Sequence, residues 1–240
     1  MREVSQPALE FTLEDQRRMS LAKNYFAWQS RLVRRELGRR VIEVGCGIGN
    51  FTGMLLDREL VVALDVEEAC VKALRRRYPR HRNLHAIACD AAGDAFRDLR
   101  LCAPDSCVCL NVLEHMADDE RALCGMVSVL DPGGVVVLIV PAFEGLYGPI
   151  DRNLGHYRRY SRTAIRRLAQ AAGLNIAKMH YMNFAGFWGW WANARLFRRQ
   201  EQSARQIAFF DRYVVPVQSA LEGMAPPPIG QSLFVVLRKA

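Results

Sequence analysis

The chain has 240 residues, half of them apolar, with 33 Lys and Arg against 25 Asp and Glu and a net charge of +8. That size and composition predict one domain with a sizeable core plus some decoration. No run approaches the ~20 apolar residues of a membrane-spanning helix, and the mixed, charged N-terminus lacks the apolar centre of a signal peptide. Seven cysteines, an odd number, fall mostly within expected strands or helices (Cys89, Cys107, Cys109, Cys124). Their spacing fits neither zinc pairs nor a disulfide framework, so buried thiols and a cytoplasmic location are expected. The basicity belongs to one segment: residues 151–200 hold ten Lys or Arg and one acid, Asp151, or +9, leaving −1 for the remainder.

Residues 1–40 read as one or two helices, a helical cap, because Leu21, Tyr25, Trp28 and Leu32 recur at helical spacing. Then comes Val41-Ile42-Glu43-Val44-Gly45-Cys46-Gly47-Ile48-Gly49-Asn50, a buried strand that ends in an acid and turns through three glycines. Such a turn lets the backbone approach a bound cofactor closely, because glycine has no Cβ and tolerates positive φ. A dinucleotide fingerprint would place its third glycine where Asn50 stands. Glu43 would repel a diphosphate but suits a ligand carrying a sulfonium and an amino group. The turn therefore favours S-adenosylmethionine over a nicotinamide or flavin.

A second apolar run, Leu60 to Leu64, ends at Asp65, about 20 residues beyond the turn, where an acid can accept both ribose hydroxyls. Leu84 to Cys89 ends at Asp90-Ala91, Ser106 to Leu110 at Asn111, and Val135 to Val140 follows the turn Asp131-Pro132-Gly133-Gly134. Polar groups at each strand end line up along the carboxyl edge of one parallel sheet. Helices are expected near 49–57, 67–78 and 117–130. After strand five, residues 141–150 are too rich in glycine and proline for a helix. Ser161 caps a helix with Ile165, Leu168, Ala169 and Ala172 on one face, ending at Gly173, and strand six covers roughly 174–181. Residues 183–228 read as an insertion whose Phe184, Phe187, Trp188 and Trp191 form an aromatic stripe, with Arg195, Arg198 and Arg199 at its end. Pro226-Pro227-Pro228 stops it, and the last strand lies within 229–240.

With these motifs the chain resembles class I S-adenosylmethionine-dependent methyltransferases over residues 40–182 and the final strand at 231–239. The carriers are Glu43-Val44-Gly45-Cys46-Gly47-Ile48-Gly49, Asp65, Asp90 and Leu130-Asp131-Pro132-Gly133-Gly134. The run Asn111-Val112-Leu113-Glu114-His115 is most similar to small-molecule methyltransferases of the ubiquinone-biosynthesis type. The resemblance implies an α/β fold: a Rossmann-like, seven-stranded, mostly parallel sheet with helices on both faces, an antiparallel last strand and a helical insertion before it. The cofactor core would then be residues 41–182. The resemblance also implies that Glu43, Gly45, Cys46, Gly47 and Gly49 surround the methionine end of the cofactor. Asp65 and Val66 would hold the ribose, Asp90 and Ala91 the adenine, and Asn111, Val112 and His115 the sulfonium side. Some relatives bind a divalent metal through an acid, Glu and His there, but Asn111 replaces the first acid, so no metal is expected. N-terminal helices often cover the pocket in this family, which would place Tyr25, Phe26 and Trp28 on it; core packing also explains them.

Methyl transfer requires alignment of an acceptor near the methyl carbon, and a base helps a hydroxyl or protonated amine. His156, after strand five, is the candidate base or acceptor-orienting group, with Tyr157 and Tyr160 as helpers; a backbone-bonding His156 is the plainer alternative. For His115, helix capping or core packing is the favoured reading. Phe143, Tyr147, Phe184 and Trp188 are candidate substrate contacts, the expected acceptor being a hydrophobic small molecule. A core-facing stripe, a peripheral membrane contact or a homodimer interface would also use the aromatic insertion. The basic segment suits RNA or a protein partner too. The Asn/Asp-Pro-Pro-aromatic motif shared by amino-methylating nucleic-acid enzymes is missing after strand four, however, so nucleic acid is not expected.

Overall fold

The computed structural model describes residues 6–197, 199, 201 and 203–240; Arg198, read above as part of the basic end of the stripe, lies outside the described residues. Seven strands make one sheet: β1 (Arg40–Val44), β2 (Leu60–Asp65), β3 (Leu84–Ala88), β4 (Ser106–Leu110), β5 (Val135–Pro141), β6 (Leu174–Met182) and β7 (Ser232–Lys239). Their order is β3-β2-β1-β4-β5-β7-β6. The first five run parallel, and β7 enters antiparallel between β5 and β6. The order reverses between β1 and β4, which opens a crevice at their carboxyl ends.

Side chains alternate across each strand, so one apolar run serves two cores. Ile42, Val62, Cys107, Val136 and Leu138 pack with Leu123 and Met126 of helix α4 (Asp119–Ser128) and Ile165 of α6 (Arg162–Ala171). Val41, Val61, Val108, Val137 and Phe234 face Trp28 and Val33 of α2 (Lys23–Val33) and Val215 of α9 (Val215–Met224). Helix α1 (Gln6–Met19) precedes α2, and α3 (Glu68–Arg77) packs on β2 and β3. Ser161 caps α6 as expected, its hydroxyl accepting from the Ala164 N–H at 3.1 Å. All seven cysteines are free thiols.

Two local expectations fail. The helix expected near 49–57 is a run of turns around one short 3-10 turn, Thr52–Met54. Gly45, Gly47 and Gly49 have φ of +76°, +52° and +82°, which postpones any right-handed turn to Asn50. Gly53 then sits mid-segment, where glycine costs about 1 kcal/mol of helix relative to alanine. Leu21 does not join the α2 face; it lies in the turn before the helix and is exposed.

The insertion folds as α7 (Phe184–Trp191), α8 (Ala204–Phe209) and α9, with π-helical turns at Ala192–Leu196 and Phe210–Val214. A polar knot holds α7 against α9. The Glu222 carboxylate accepts from the N–H groups of Asn183 (3.0 Å) and Phe184 (2.9 Å), and the buried Gln218 amide donates to Asn183 Oδ1 at 2.8 Å. Between α4 and the insertion lies a short helix, α5 (Pro149–Asn153), after β5. Among the described residues no helix is long and apolar enough to cross a membrane.

Candidate active site

A cavity of about 1410 Å³ opens over the carboxyl ends of β1 to β4 and is roofed by α1, α5 and the insertion. It holds Glu43, Gly45, Cys46, Gly47, Asp65, Val66, Asp90, Ala91, Asn111, Val112, His115, His156, Tyr157 and Tyr25 together.

One half of the cavity is built from the glycine turn. The N–H groups of Gly45 and Cys46 both donate to the Leu64 carbonyl at 2.7 Å, folding the turn back onto β2. At Gly45 a Cβ would strike the Val112 side chain, and at Gly47 it would strike Gln16 of α1. Asp65 accepts from the Gly47 N–H at 2.8 Å and the Glu67 N–H at 3.0 Å, so its carboxylate is fixed in the cavity wall. Asp90 is oriented by the Ala92 N–H at 2.9 Å. Asn111 is held with φ of +54°, its N–H donating to the Ile139 carbonyl at 2.7 Å. Glu43 is buried, its Oε2 has no hydrogen-bond partner, and burial pushes its carboxyl up to about 8. A buried carboxylate oxygen with no donor is costly, and a cationic amine in the cavity would satisfy it. The residues present therefore fit S-adenosylmethionine: an acid and a glycine cradle for the methionine end, Asp65 for the ribose, Asp90 and Ala91 for the adenine.

The other half centres on Asp151, which is completely buried at the third position of α5. Its Oδ1 lies 2.9 Å from His156 Nδ1 and accepts from Arg159 Nε at 2.8 Å. Its Oδ2 accepts from the Gly148 N–H at 2.9 Å and from Trp190 Nε1 at 3.3 Å. Burial alone would raise the Asp151 carboxyl, but the His156 bond and the Arg159 charge outweigh it and hold the group below its ordinary range. Beside an ionised Asp151, Nδ1 is the His156 nitrogen that carries the hydrogen, so Nε2 is the nitrogen directed to other partners. His115 stands edge-on to His156, ring centroids 4.6 Å apart. Its ring opens onto the cavity, yet the enclosing walls and the facing His156 hold its imidazole well below the usual range. Glu114 beneath them is buried with Oε2 unpartnered, and burial pushes it up to about 7. Among the described residues, Glu114, His115 and His156 each offer one ligand atom within 4.8 Å of the others.

The remaining candidates are placed elsewhere. Tyr160 is buried and its hydroxyl donates to Asp119 Oδ2 at 2.9 Å, with the Leu113 carbonyl 3.2 Å away as the alternative acceptor, away from the cavity lining. Gly49 packs on Leu74 behind the turn, and Trp28 sits in the core. Phe143 stacks on Tyr181, and the Tyr147 hydroxyl donates to the His156 carbonyl at 2.7 Å, which fixes the His156 loop from behind. Phe184 and Trp188 face outward, 40% and 51% exposed. The Trp190–Asp151 bond and the Arg159 guanidinium 4.7 Å over the Trp190 ring turn the opposite face of α7 inward, so Gly186, Gly189 and Trp190 meet the cavity. The sequence alone assigns Asp151, Arg159 and Trp190 no site role, and Glu114 enters only within the Asn111–His115 run. The signal available for Asp151 was its place as the one acid among ten cations, five residues before His156.

Residues 14–178 match the family model described as a methyltransferase domain. The chain is 31% identical over 153 residues to a protein named "Probable S-adenosylmethionine-dependent methyltransferase" from Mycolicibacterium smegmatis, covering 61% of this chain and 56% of that one. It is 31% identical over 143 residues to a tRNA (carboxymethyluridine(34)-5-O)-methyltransferase of Xenopus tropicalis (58% and 21% covered). To a ubiquinone biosynthesis O-methyltransferase of Chromobacterium violaceum it is 25% identical over 164 residues (61% and 69%). The match thus spans little more than half of the first of these relatives and about a fifth of the second. Among solved structures, a SAM-dependent methyltransferase from Thermotoga maritima shares the fold with a TM-score of 0.67 at 15% identity, over 96% of this chain and 97% of that one. With family model, sheet order and cofactor cradle in agreement, the chain belongs to the methyltransferase-domain family and is a class I S-adenosylmethionine-dependent methyltransferase domain.

Proposed function

We propose that this domain methylates a hydrophobic small molecule by in-line transfer, with His156 as the base or acceptor-orienting group. The observation that carries the reading is His156 on the wall of the cofactor cavity, backed at 2.9 Å by the buried Asp151. The chemistry supplied by bound S-adenosylmethionine is a methyl group already activated on a sulfonium. This chain's residues then have three tasks. The glycine turn, Glu43 and Asp65 fix the donor end. Trp190, Phe197 and Phe210 give the rest of the cavity an apolar wall that excludes water. His156 accepts the acceptor's proton at Nε2, while Asp151 holds Nδ1–H and stabilises the imidazolium that results.

RNA as acceptor has less support from the side chains. Within the basic segment Arg158, Arg159 and Lys178 are already paired with Asp119, Asp151 and Glu36. Free thiols throughout fit the expected cytoplasmic location. The test is a screen of apolar hydroxyl, amine and carbon acceptors for a mass gain of one methyl group, run beside an RNA pool. Methylation of RNA alone would overturn the small-molecule reading.

A further inference from the structure

Among the described residues, ten of fifteen exposed large apolar side chains belong to the insertion, residues 183–225, so their exposed apolar surface is concentrated on that segment. On α7, Phe184, Trp188 and Trp191 pack edge to face, centroids 6.4 Å apart at each step. On α9, Val217, Leu221 and Met224 repeat at i, i+4 and i+7, exposed by 62%, 62% and 85%. Single exposed apolar residues are ordinary; stripes on two helices of one insertion mark a contact surface.

The insertion carries five arginines against three acids. All three acids of the insertion are tied down: Glu201 by Arg18, Asp211 by the start of α2, and Glu222 by the start of α7. Three of its described arginines meet neutral partners instead. Arg195 donates to the Gly145 carbonyl, Arg199 to the Gln206 amide, and Arg212 lies over the Tyr213 ring at 5.4 Å. Their charge remains available to an anionic surface.

We propose that these exposed stripes of the insertion dock the domain on an anionic lipid surface. Tryptophan and arginine both suit the headgroup region: an indole buries its ring while keeping its N–H wet, and a guanidinium meets phosphates while its stem lies on apolar atoms. The other two candidate partners fit less well. A second copy in a twofold contact would bring these arginines near their own copies. A nucleic acid would gain nothing from aliphatic Leu196, Val217, Leu221 and Met224, which offer no stacking face. Phe197 and Phe209, 59% and 62% exposed, also line the active-site cavity, so its mouth opens within the apolar face. The inference deepens the hydrophobic-acceptor reading by giving such an acceptor a route from the lipid into the site.

The test needs no acceptor, so its failure and the failure of that reading stay separate. The whole protein is mixed with vesicles of phosphatidylcholine and phosphatidylglycerol, and with vesicles of phosphatidylcholine alone. Cosedimentation with the anionic vesicles, at least about tenfold weaker at high salt, is expected. A blue shift of tryptophan emission from Trp188 and Trp191 should accompany it. Trp188→Glu with Trp191→Glu should abolish vesicle binding while leaving affinity for S-adenosylhomocysteine unchanged. Should that variant misfold, quenching of wild-type tryptophan by brominated lipid reports the same contact. Absence of vesicle binding, or binding without an emission shift or quenching, overturns the proposal. So does a wild-type dimer that the two substitutions dissociate, or release of bound protein from anionic vesicles by a short RNA.

Discussion

Asp211, in the second π-helical turn, caps a helix 186 residues earlier in the chain: its Oδ1 accepts from the Tyr25 N–H at 2.8 Å, and its Oδ2 from the Asn24 N–H at 3.1 Å. Ala22, at the N-cap position of α2, has no side-chain acceptor to offer. The N-terminal cap and the insertion are thereby joined into one roof over the cavity. Asp211→Ala should destabilise the protein by about 1–2 kcal/mol, the usual loss for a removed cap. It should also weaken cofactor affinity, because Gln16 and Tyr25 belong to that roof. A chemical denaturation midpoint equal to wild type would reject this role.

His156→Ala should lower kcat about 100-fold, the low end of what a positioned base contributes, with cofactor affinity within about twofold of wild type. Asp151→Asn should lose turnover and also stability. It leaves the buried Arg159 guanidinium without its ionic partner, a change costing about 3–5 kcal/mol. Single-turnover rates and thermal melts on both variants separate the two roles. Equal turnover of His156→Ala and wild type would remove His156 from the chemistry.

Glu43 titrates near 8 in the folded protein against an ordinary 4.5, with burial as the main cause. Between those values the folded state holds a proton that the unfolded chain has lost, so its contribution makes stability fall as pH rises. Glu114, raised to about 7, adds the same trend over a narrower window. Glu43→Gln cannot ionise. Relative to wild type, the ligand-free Tm of this variant should rise between about pH 5 and pH 8, by roughly 5 °C. The same substitution should weaken cofactor binding, since a neutral amide attracts the donor's amine less. A Tm difference that stays constant with pH would contradict the burial argument.

Tyr160→Phe should leave kcat unchanged and cost about 1–2 kcal/mol, because Asp119 and the Leu113 carbonyl lose a buried donor. A drop in kcat of more than about tenfold without loss of stability would instead return Tyr160 to the reaction.

The strands, their carboxyl-edge acids and the cofactor cradle were legible in the chain because each is local. A run such as Val41 to Val44 ending at three glycines carries its own periodicity, turn chemistry and acid. Ser161 as a cap is legible for the same reason. The acceptor half was only half legible. His156 and Tyr157 are brought to the cavity, while Tyr160, four residues after His156, turns into the core. In an irregular loop no fixed period tells which side chain faces inward. Helix α7 shows the limit of a periodic argument: a stripe identifies a face, and the stripe read here is the outward one. Which face turns in was decided by a single buried carboxylate, Asp151, gathering His156 and Arg159 from its own loop and Trp190 from 39 residues away. By itself the sequence determined the sheet, the glycine turn and the donor-binding acids, since these rest on neighbours in the chain. Tertiary structure alone decided the base's partner, the capping of α2 by Asp211 and the outward aromatic face, since buried charge must find its partners wherever folding brings them.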